Sequence, residues 1–494
     1  MNSTLMLLLH SDPFAAAPGG TEMHVLDRVA GLALPRAVIV YPYTPDCINV
    51  ALIRDGNLNS RELFSFPLQT PLLRYAHTHP EAEEMLVRIA GLFAVTVVSV
   101  EHALYFPLAA LRRLQREGIK YVTVHHDFYC VCPSLNLIDI RTFTRCRAHT
   151  PEPQTSVDCL RSYFEANKME PPCLADELLA KHQRLWRNIF ESAERIIFPS
   201  ISARDTVISA FPTALARAEV ISHGYTASEN LPGRPAPGPR LRVALIGQIA
   251  HKTKGRELIL ELLAATRDVP LEWHFFGDVE YLNFMSRVDE IGVKRVFHGP
   301  YQRENIIPKL AGSTDVALFT SIWSETFSYT LSEALLAGVP PIVPRLGAFE
   351  ERVAAGEGES GRTEGKWGWI IEPNSVAAAA TILEKLAGNR TQVGSMQKRL
   401  AEFKHTTPAE NAEAYRSIYA PFLDRTAQEV ADNGALVAAA TEYFRRRKLR
   451  EAELLMQQPA YKRSILYGAY KGLKHLVPVS VRNSLYRILV GWRA

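Results

Sequence analysis

Nowhere in its 494 residues does the chain carry an apolar run of the ~18–20 residues that cross a bilayer, which argues against an integral membrane protein. The N-terminal apolar run does not read as a secretory leader. Leu5–Leu9 is too short for one and has no basic residue before it, although Ala15–Ala17 imitates a cleavage site. That run reads as a buried first strand, and the protein is expected to stay in the cytoplasm. Charge of one sign is not in excess, since 56 Lys and Arg face 52 Asp and Glu for a formal net charge of +4. No Gly-x-Gly-x-x-Gly joins a first strand to a first helix in either half, which leaves little case for a dinucleotide oxidoreductase. An internal repeat of roughly 20–50 residues is also absent. Cysteine is scarce, six in all, and a cytoplasmic location keeps it reduced.

What is present reads as a soluble α/β chain. Hydrophobic residues make up 47% and aromatics 9%, which rules out a disordered or fibrous chain. The length allows two or three domains, each with its own core. Thr4–His10 is strand-like, Gly19-Gly20 punctuates, and Met23, Leu26, Val29, Ala30 and Ala33 recur at helical spacing. Apolar strand-like runs follow at Arg36–Tyr41, Ala94–Val100, Tyr121–His125 and Arg195–Pro199, with a helix pattern over Ala103–Glu117. Such alternation predicts parallel sheets covered on both faces.

Glu229–Arg240, with four prolines and two glycines, reads as a linker. Beyond it the alternation restarts, with strands at Leu241–Ile249, Leu271–Phe276, Val296–His298, Asp315–Thr320 and Pro341–Val343. The predicted organisation is a Rossmann-like domain over 1–230 with an irregular Cys-rich insertion at about 130–180, a second over 240–425, and a helical tail over 426–494. Ligands of open α/β sheets bind beyond the strand C-termini, so both halves are expected to face one cleft.

The tail over 461–494 has seven basic residues and no acidic one, leaving the other 460 residues at a formal −3. This distribution is not that of a general nucleic-acid binder. Val481, Leu485, Ile488, Leu489 and Trp492 fall on one helical face, and Leu466, Tyr470, Leu473 and Val477 form a similar stripe. With Lys462, Arg463, Lys471, Lys474, Arg482, Arg487 and Arg493 around them, these stripes read as lying on an anionic membrane surface. Packing against the body or a partner subunit is the other reading.

The most informative stretch is Ser324–Pro340. Glu325 and Glu333 are eight apart, and a helix starting near Ser328 puts Glu325 at its entrance and Glu333 about one and a half turns along. The free amides of Phe327, Ser328 and Tyr329 then present the positive end of the helix dipole, which suits a diphosphate. Glu333 can accept hydrogen bonds from ribose hydroxyls. A solvated helix face is the bland alternative.

Glu-x7-Glu followed by Ala-Gly-Val-Pro resembles the donor-site signature of retaining GT-B glycosyltransferases, in particular glycosyltransferase family 4. Three more segments match in order: Pro18–His24 resembles the family's N-terminal glycine turn, Thr123–Phe128 its strand-end histidine motif, and Gly247–Gly255 its phosphate loop Gly-Arg-x5-Lys-Gly. The resemblance covers about residues 1–425. Within the family, His126–Tyr129 followed by Cys132-Pro133 is most similar to bacterial cell-envelope polysaccharide enzymes.

The resemblance implies a GT-B fold and a nucleotide-sugar donor, UDP-, GDP- or dTDP-linked, with no cofactor required for catalysis. It implies a glycan or lipid-linked acceptor and action at the inner face of the cytoplasmic membrane, O-antigen-type synthesis being one such setting. Gly19 and Gly20 would let backbone approach donor and acceptor. His126 would reach the donor sugar, with His125 as competitor because strand alternation turns only one of the pair to the site. Lys254 would neutralise the diphosphate, aided by Lys252, Glu333 would hold the ribose, and Glu325 would help stabilise positive charge at the anomeric carbon. The family's usual arginine is Gln248 here, a lost donor worth about 1.5–3 kcal/mol unless His251, Lys252 or Arg256 compensates. The implied chemistry is front-face attack with retention, the leaving diphosphate taking the acceptor proton. No metal-binding Asp-x-Asp is seen where a donor diphosphate would lie. The alternative is a degenerate member serving as a membrane-docked scaffold.

Cys130, Cys132, Cys146, Cys159 and Cys173 lie within 44 residues. A structural zinc or other thiolate-bound metal is one reading. Buried free thiols are another, and disulfides suit the cytoplasm poorly.

Overall fold

The computed structural model describes residues 3–15, 18–150, 157–169, 175–228, 231–234, 236–279, 283–355, 363–423 and 434–456. The chain divides into two compact units, one of Met1–Val98, Tyr105–Ile119 and Leu423–Ala494, the other of Ser99–Leu104 and Lys120–Phe422.

In the first unit β1 (Thr4–Leu8) is buried along its length, and α1 (Gly20–Leu32) returns the chain to the parallel strand β2 (Ala37–Thr44). The all-parallel expectation then fails. β3 (Cys47–Ile53) and β4 (Glu62–Pro67) run antiparallel to their neighbours. Two residues between Thr44 and Cys47 allow only a hairpin, because a parallel crossover needs a dozen or so. α2 (Pro80–Leu92) starts with Pro80 in its first turn, and the His79 ring accepts the Ala82 amide at 3.1 Å. It leads into β5 (Val95–Val100), whose last two residues belong to the second unit. The helix read over Ala103–Glu117 is confined to α3 (Ala109–Arg116). Pro107 accounts for the late start, since a residue before proline avoids helical backbone.

The second unit opens with β6 (Lys120–Val124). The stretch read as an irregular insertion contains the short hairpin β7 (Ile138–Asp139) and β8 (Thr144–Arg145), then α4 (Val157–Ala166) and α5 (Ala175–Ser192). β9 (Ile196–Phe198) pairs in parallel with β6, α6 (Ile201–Ala210) follows, and β10 (Ala218–Val220) pairs in parallel with β9.

After the proline-rich segment a six-stranded parallel sheet forms from β11 (Leu241–Ile246), β12 (Leu271–Phe276), β13 (Arg295–Gly299), β14 (Val316–Leu318), β15 (Pro341–Pro344) and β16 (Trp369–Ile371). Its helices are α7 (Arg256–Ala265), α8 (Phe284–Ile291), α9 (Arg303–Ser313), α10 (Tyr329–Leu336), α11 (Ala348–Ala354), α12 (Val376–Gly388) and α13 (Arg390–Leu400). The spatial order is β13-β12-β11-β14-β15-β16. The chain therefore winds outward one way from β11 and then the other way from β14. Alternate strand residues feed two cores, Val243, Leu245, Trp273 and Phe275 on one face, Ala244, Phe276, Ala317 and Val343 on the other. α14 (Pro408–Leu423) returns to the opening strands, with Asn411 donating to Ser222 O at 2.7 Å and the Tyr419 hydroxyl 2.8 Å from Ser99 Oγ. α15 (Gly434–Met456) belongs to the first unit, where Arg447 bonds Asn49 Oδ1 of β3 at 3.3 Å.

β11, β14 and α13 are joined at Asp315. Its carboxylate accepts from Arg242 at 2.7 and 3.0 Å and from Arg390 at 2.6 Å. Burial opposes ionisation, but these bonds hold the carboxyl below its usual range. Asp315→Ala strands two guanidinium groups and is expected to cost about 3 kcal/mol, read as a lower urea midpoint with unchanged slope. In the wild type this contribution fades as pH falls below 3.8, the unfolded value. The variant lacks that acid-sensitive component.

Candidate active site

The strand order places a topological switch between β11 and β14, and ligands of such sheets bind beyond the strand ends at that point. The loop after β11 is Gly247–Gly255, and the loop after β14 leads to α10. The two are tied directly. Thr320 Oγ1 donates to Lys254 O at 2.7 Å and the Ile322 amide to Thr253 O at 3.0 Å. Gly255 has φ 81°, and a Cβ there would lie 2.1 Å from Thr320 O, so only glycine permits the approach.

Lys254 Nζ donates to Glu325 Oε1, which also accepts from Ser321 Oγ at 2.6 Å. Glu325 is buried and its carbonyl accepts the Ala348 amide at 2.9 Å. Two residues that the sequence placed in separate motifs thus form one ion pair at the switch.

α10 begins at Tyr329. Its N-cap, Ser328, has φ 70° and ψ 97°, and its Oγ accepts from the Leu331 amide at 3.4 Å. Phe327 is buried against the His223 ring at 4.7 Å, and the Tyr329 ring stacks on His223 at 5.6 Å. On α10 the Glu333 carboxylate is buried. Tyr225 OH donates to one oxygen at 2.9 Å and Tyr301 OH to the other at 3.0 Å, and the Arg303 guanidinium lies 4.2 Å over the Tyr225 ring. Burial pushes Glu333 up to about 7, against the phenol bonds and the Arg303 charge.

The strand-end histidines separate cleanly. His125 is core, packed by Trp186, Phe190 and Phe198 and bonded to Thr123 Oγ1 at 3.0 Å, and burial lowers it to about 3. His126 instead pairs with the buried Glu101 at 3.1 Å, and its carbonyl accepts from Thr326 Oγ1 at 2.6 Å. The histidine and α10 loops therefore touch. Asp127 caps the Tyr129 amide at 2.8 Å and meets His102 at 2.8 Å, the turn contact a short acid favours.

The remaining predicted residues are spread out. Gln248 and Lys252 are exposed, with Lys252 Nζ 4.5 Å over the Phe143 ring. Arg256, one of the compensating candidates, is buried and bonds Glu257 at 2.6 Å. In the first unit Gly19 is the N-cap of α1 and Gly20 its first residue, and a Cβ on Gly19 would meet Glu22 Oε2 at 2.7 Å. The tail residues Lys462 to Arg493 lie outside the described residues, and no described helix is long and apolar enough to cross a membrane.

Among the described residues no group of three or more His, Cys, Asp or Glu is arranged for a metal ion. Cys130, Cys132, Cys146 and Cys159 are buried and free of disulfides. Burial pushes Cys159 up to about 11, Cys132 to about 12 and Cys130 well above its ordinary value, which favours thiols over the thiolates a metal needs. Cys173 lies outside the described residues.

Tyr225, Tyr301, Glu101 and Arg352 were not read from the sequence. Only Glu101 carried a signal, a carboxylate at the end of an apolar strand.

Three known proteins are similar. Residues 229–405 match the family described as glycosyl transferases group 1. Spore coat protein SA of Bacillus subtilis (strain 168) is 24% identical over 240 residues, 43% of this chain and 61% of that protein, so the chain spans under two thirds of this curated relative. Sucrose-phosphate synthase of Thermosynechococcus elongatus is 14% identical with a TM-score of 0.56, over 85% of this chain and all of that one (100%). HepE of Anabaena, solved in complex with UDP and glucose, is 14% identical with a TM-score of 0.52, over 85% of this chain and 99% of that one. At these identities the solved structures show a shared fold.

The folded chain holds the Glu333 proton more tightly than the unfolded chain, whose carboxyl sits at 4.5. That stabilisation is complete below 4.5 and is lost as pH rises through about 7, a change of roughly 3 kcal/mol. Glu333→Gln is expected to flatten this slope in urea titrations at stepped pH. An unchanged slope would place the titration elsewhere.

Proposed function

Because residues 229–405 match the family described as glycosyl transferases group 1, we propose that the chain is a retaining glycosyltransferase that moves a sugar from a nucleotide-sugar donor to a glycan or lipid-linked acceptor of the cell envelope. The observation that carries the reading is the Lys254–Glu325 pair at the switch point, beside the N-terminus of α10 and its buried Glu333. A uridine diphosphate sugar is the first donor to test, since HepE was solved with UDP and glucose.

In this reading the donor diphosphate lies over the start of α10, where the amides of Phe327, Ser328 and Tyr329 and the helix dipole favour anionic oxygen. Lys254 turns from Glu325 to the diphosphate as charge builds on the leaving group. Glu325 then faces the anomeric carbon as it becomes cationic. Glu333 receives the ribose hydroxyls. His126, oriented by Glu101, reaches the donor sugar. The acceptor hydroxyl attacks on the face the diphosphate leaves: the new C–O bond forms, the bond to phosphate breaks, and the proton passes to a phosphate oxygen. Residues 1–230 serve the acceptor, with Gly19 and Gly20 at their turn, and residues 240–425 the donor. The basic tail holds the protein on the anionic inner face of the cytoplasmic membrane.

Wild type is expected to turn over one member of a nucleotide-sugar panel in the presence of anionic vesicles. Lys254→Ala should weaken nucleotide binding by about 10- to 150-fold, the worth of a charge-assisted bond. Glu333→Ala should lose turnover of the same donor. Donor binding is scored separately by calorimetry, since a missing acceptor silences transfer. A folded wild type that binds no donor would favour the scaffold reading, with Gln248 as the lesion. The full chain should also sediment with phosphatidylglycerol vesicles and not with neutral ones, and should be released by salt.

A further inference from the structure

Ser328 sits in left-handed backbone space, φ 70° and ψ 97°, where a residue with a Cβ is strained. Such a conformation persists only where its surroundings over-determine it. Among those surroundings one side chain grips the backbone on both sides of Ser328. Arg352, on α11, is half-buried with its guanidinium carbon 4.1 Å over the Phe327 ring. Its Nη1 donates to Phe327 O at 2.8 Å and to Ser328 O at 2.9 Å. Its Nη2 donates to Ser332 Oγ at 2.8 Å, one turn into α10, and to His405 Nε2 at 3.3 Å. His405 Nδ1 donates to Thr406 O at 2.7 Å, so Nε2 is the accepting nitrogen and takes the Ser332 hydroxyl as well, at 2.9 Å. The guanidinium is thus held on three sides, with Nη1 bridging two consecutive carbonyls and Nη2 turned to Ser332 and His405.

Those carbonyls matter because a peptide unit is planar and trans. Its C=O and the following N–H point in opposite directions. Fixing Phe327 O toward Arg352 aims the Ser328 amide away from it, and fixing Ser328 O does the same for the Tyr329 amide. These are two of the three amides that the proposed function assigns to the diphosphate.

We propose that Arg352 is a positioning residue for donor binding: it clamps the Phe327 and Ser328 carbonyls, holds Ser328 left-handed, and so presents the Ser328 and Tyr329 amides to the donor diphosphate. The inference rests on the donor-site reading above. It makes Arg352 a determinant of affinity with no contact to the ligand. It also separates Arg352 from Lys254, whose removal takes away charge at the diphosphate itself.

Glycine adopts left-handed backbone without a Cβ penalty, so Ser328→Gly should make the clamp dispensable. The experiment compares wild type, Arg352→Met, Arg352→Lys, Ser328→Gly and the double variant Arg352→Met/Ser328→Gly. Affinity for UDP, GDP and dTDP is read by calorimetry, amide exchange over 324–333 by mass spectrometry, and folding by urea midpoint. Arg352→Met should weaken the bound nucleotide by about tenfold or more, as for other charge-assisted contacts, and speed exchange. Arg352→Lys, lacking the fork, should fall between. The double variant should regain most of the affinity and protection that Arg352→Met loses, and should match Ser328→Gly, the reference against which it is read. Unchanged affinity and exchange in a folded Arg352→Met, or no recovery in a folded double variant, would overturn the proposal. If wild type binds none of the nucleotides, the donor-site reading fails. Exchange over 324–333 still decides whether Arg352 orders these amides.

Discussion

A carboxylate buried at the end of a parallel sheet needs a cation, and Glu325 has Lys254. The loop after β11 and the loop after β14 diverge by construction, because the chain winds away from the switch in both directions. The ion pair draws them back together. Around it the supporting contacts are short-range and mostly backbone: Thr320 on Lys254 O, Ile322 on Thr253 O, and the Ala348 amide on Glu325 O. Gly255 is pressed against the Thr320 carbonyl by the same approach. Removing Lys254 alone would leave the buried Glu325 charge without its cation, which low-dielectric surroundings penalise. The pair therefore holds the two loops together at the switch point.

The second glutamate solves the same problem differently. Glu333 is met by two phenols, and burial pushes its carboxyl up to about 7. Phenols satisfy lone pairs without neutralising charge, so the desolvation cost remains as a raised affinity for the proton. Two carboxylates eight residues apart, one just before α10 and one on it, thus meet different partners, a lysine for Glu325 and two phenols for Glu333. The same division runs through the histidines. His125 is a neutral core ring among aromatics, and its neighbour His126 faces a buried acid.

Polar groups around α10 are bound in a continuous network. Arg352, Ser332 and His405 link α11, α10 and the approach to α14. Such a network rigidifies only when its members are satisfied, and then it specifies one conformation. This is how a serine with a left-handed backbone is tolerated at the entrance of a helix.

Much of the fold was legible in the chain itself. Apolar runs alternating with helical spacing mark β1, β2, β5, β6 and the strands after the proline-rich segment, because a buried parallel strand needs apolar residues on both faces. The antiparallel pair β3–β4 was missed, since its orientation follows from a two-residue turn and not from hydrophobic pattern. Lys254, Glu325 and Glu333 were visible as motif residues, because their spacing is local. Tyr225, Tyr301, Glu101 and Arg352 were not. Each acts on a partner between 24 and 108 residues away, and nothing in a one-dimensional pattern records such a distance. The described cysteines of the cluster are buried thiols, and among the described residues no group of three or more His, Cys, Asp or Glu is arranged for a metal ion. Sequence alone determined which segments become strands and which loops carry charge, through local periodicity and residue chemistry. Tertiary structure decided which of those charges meet, because burial and pairing depend on distances that exist only after the sheet has wound both ways from β11.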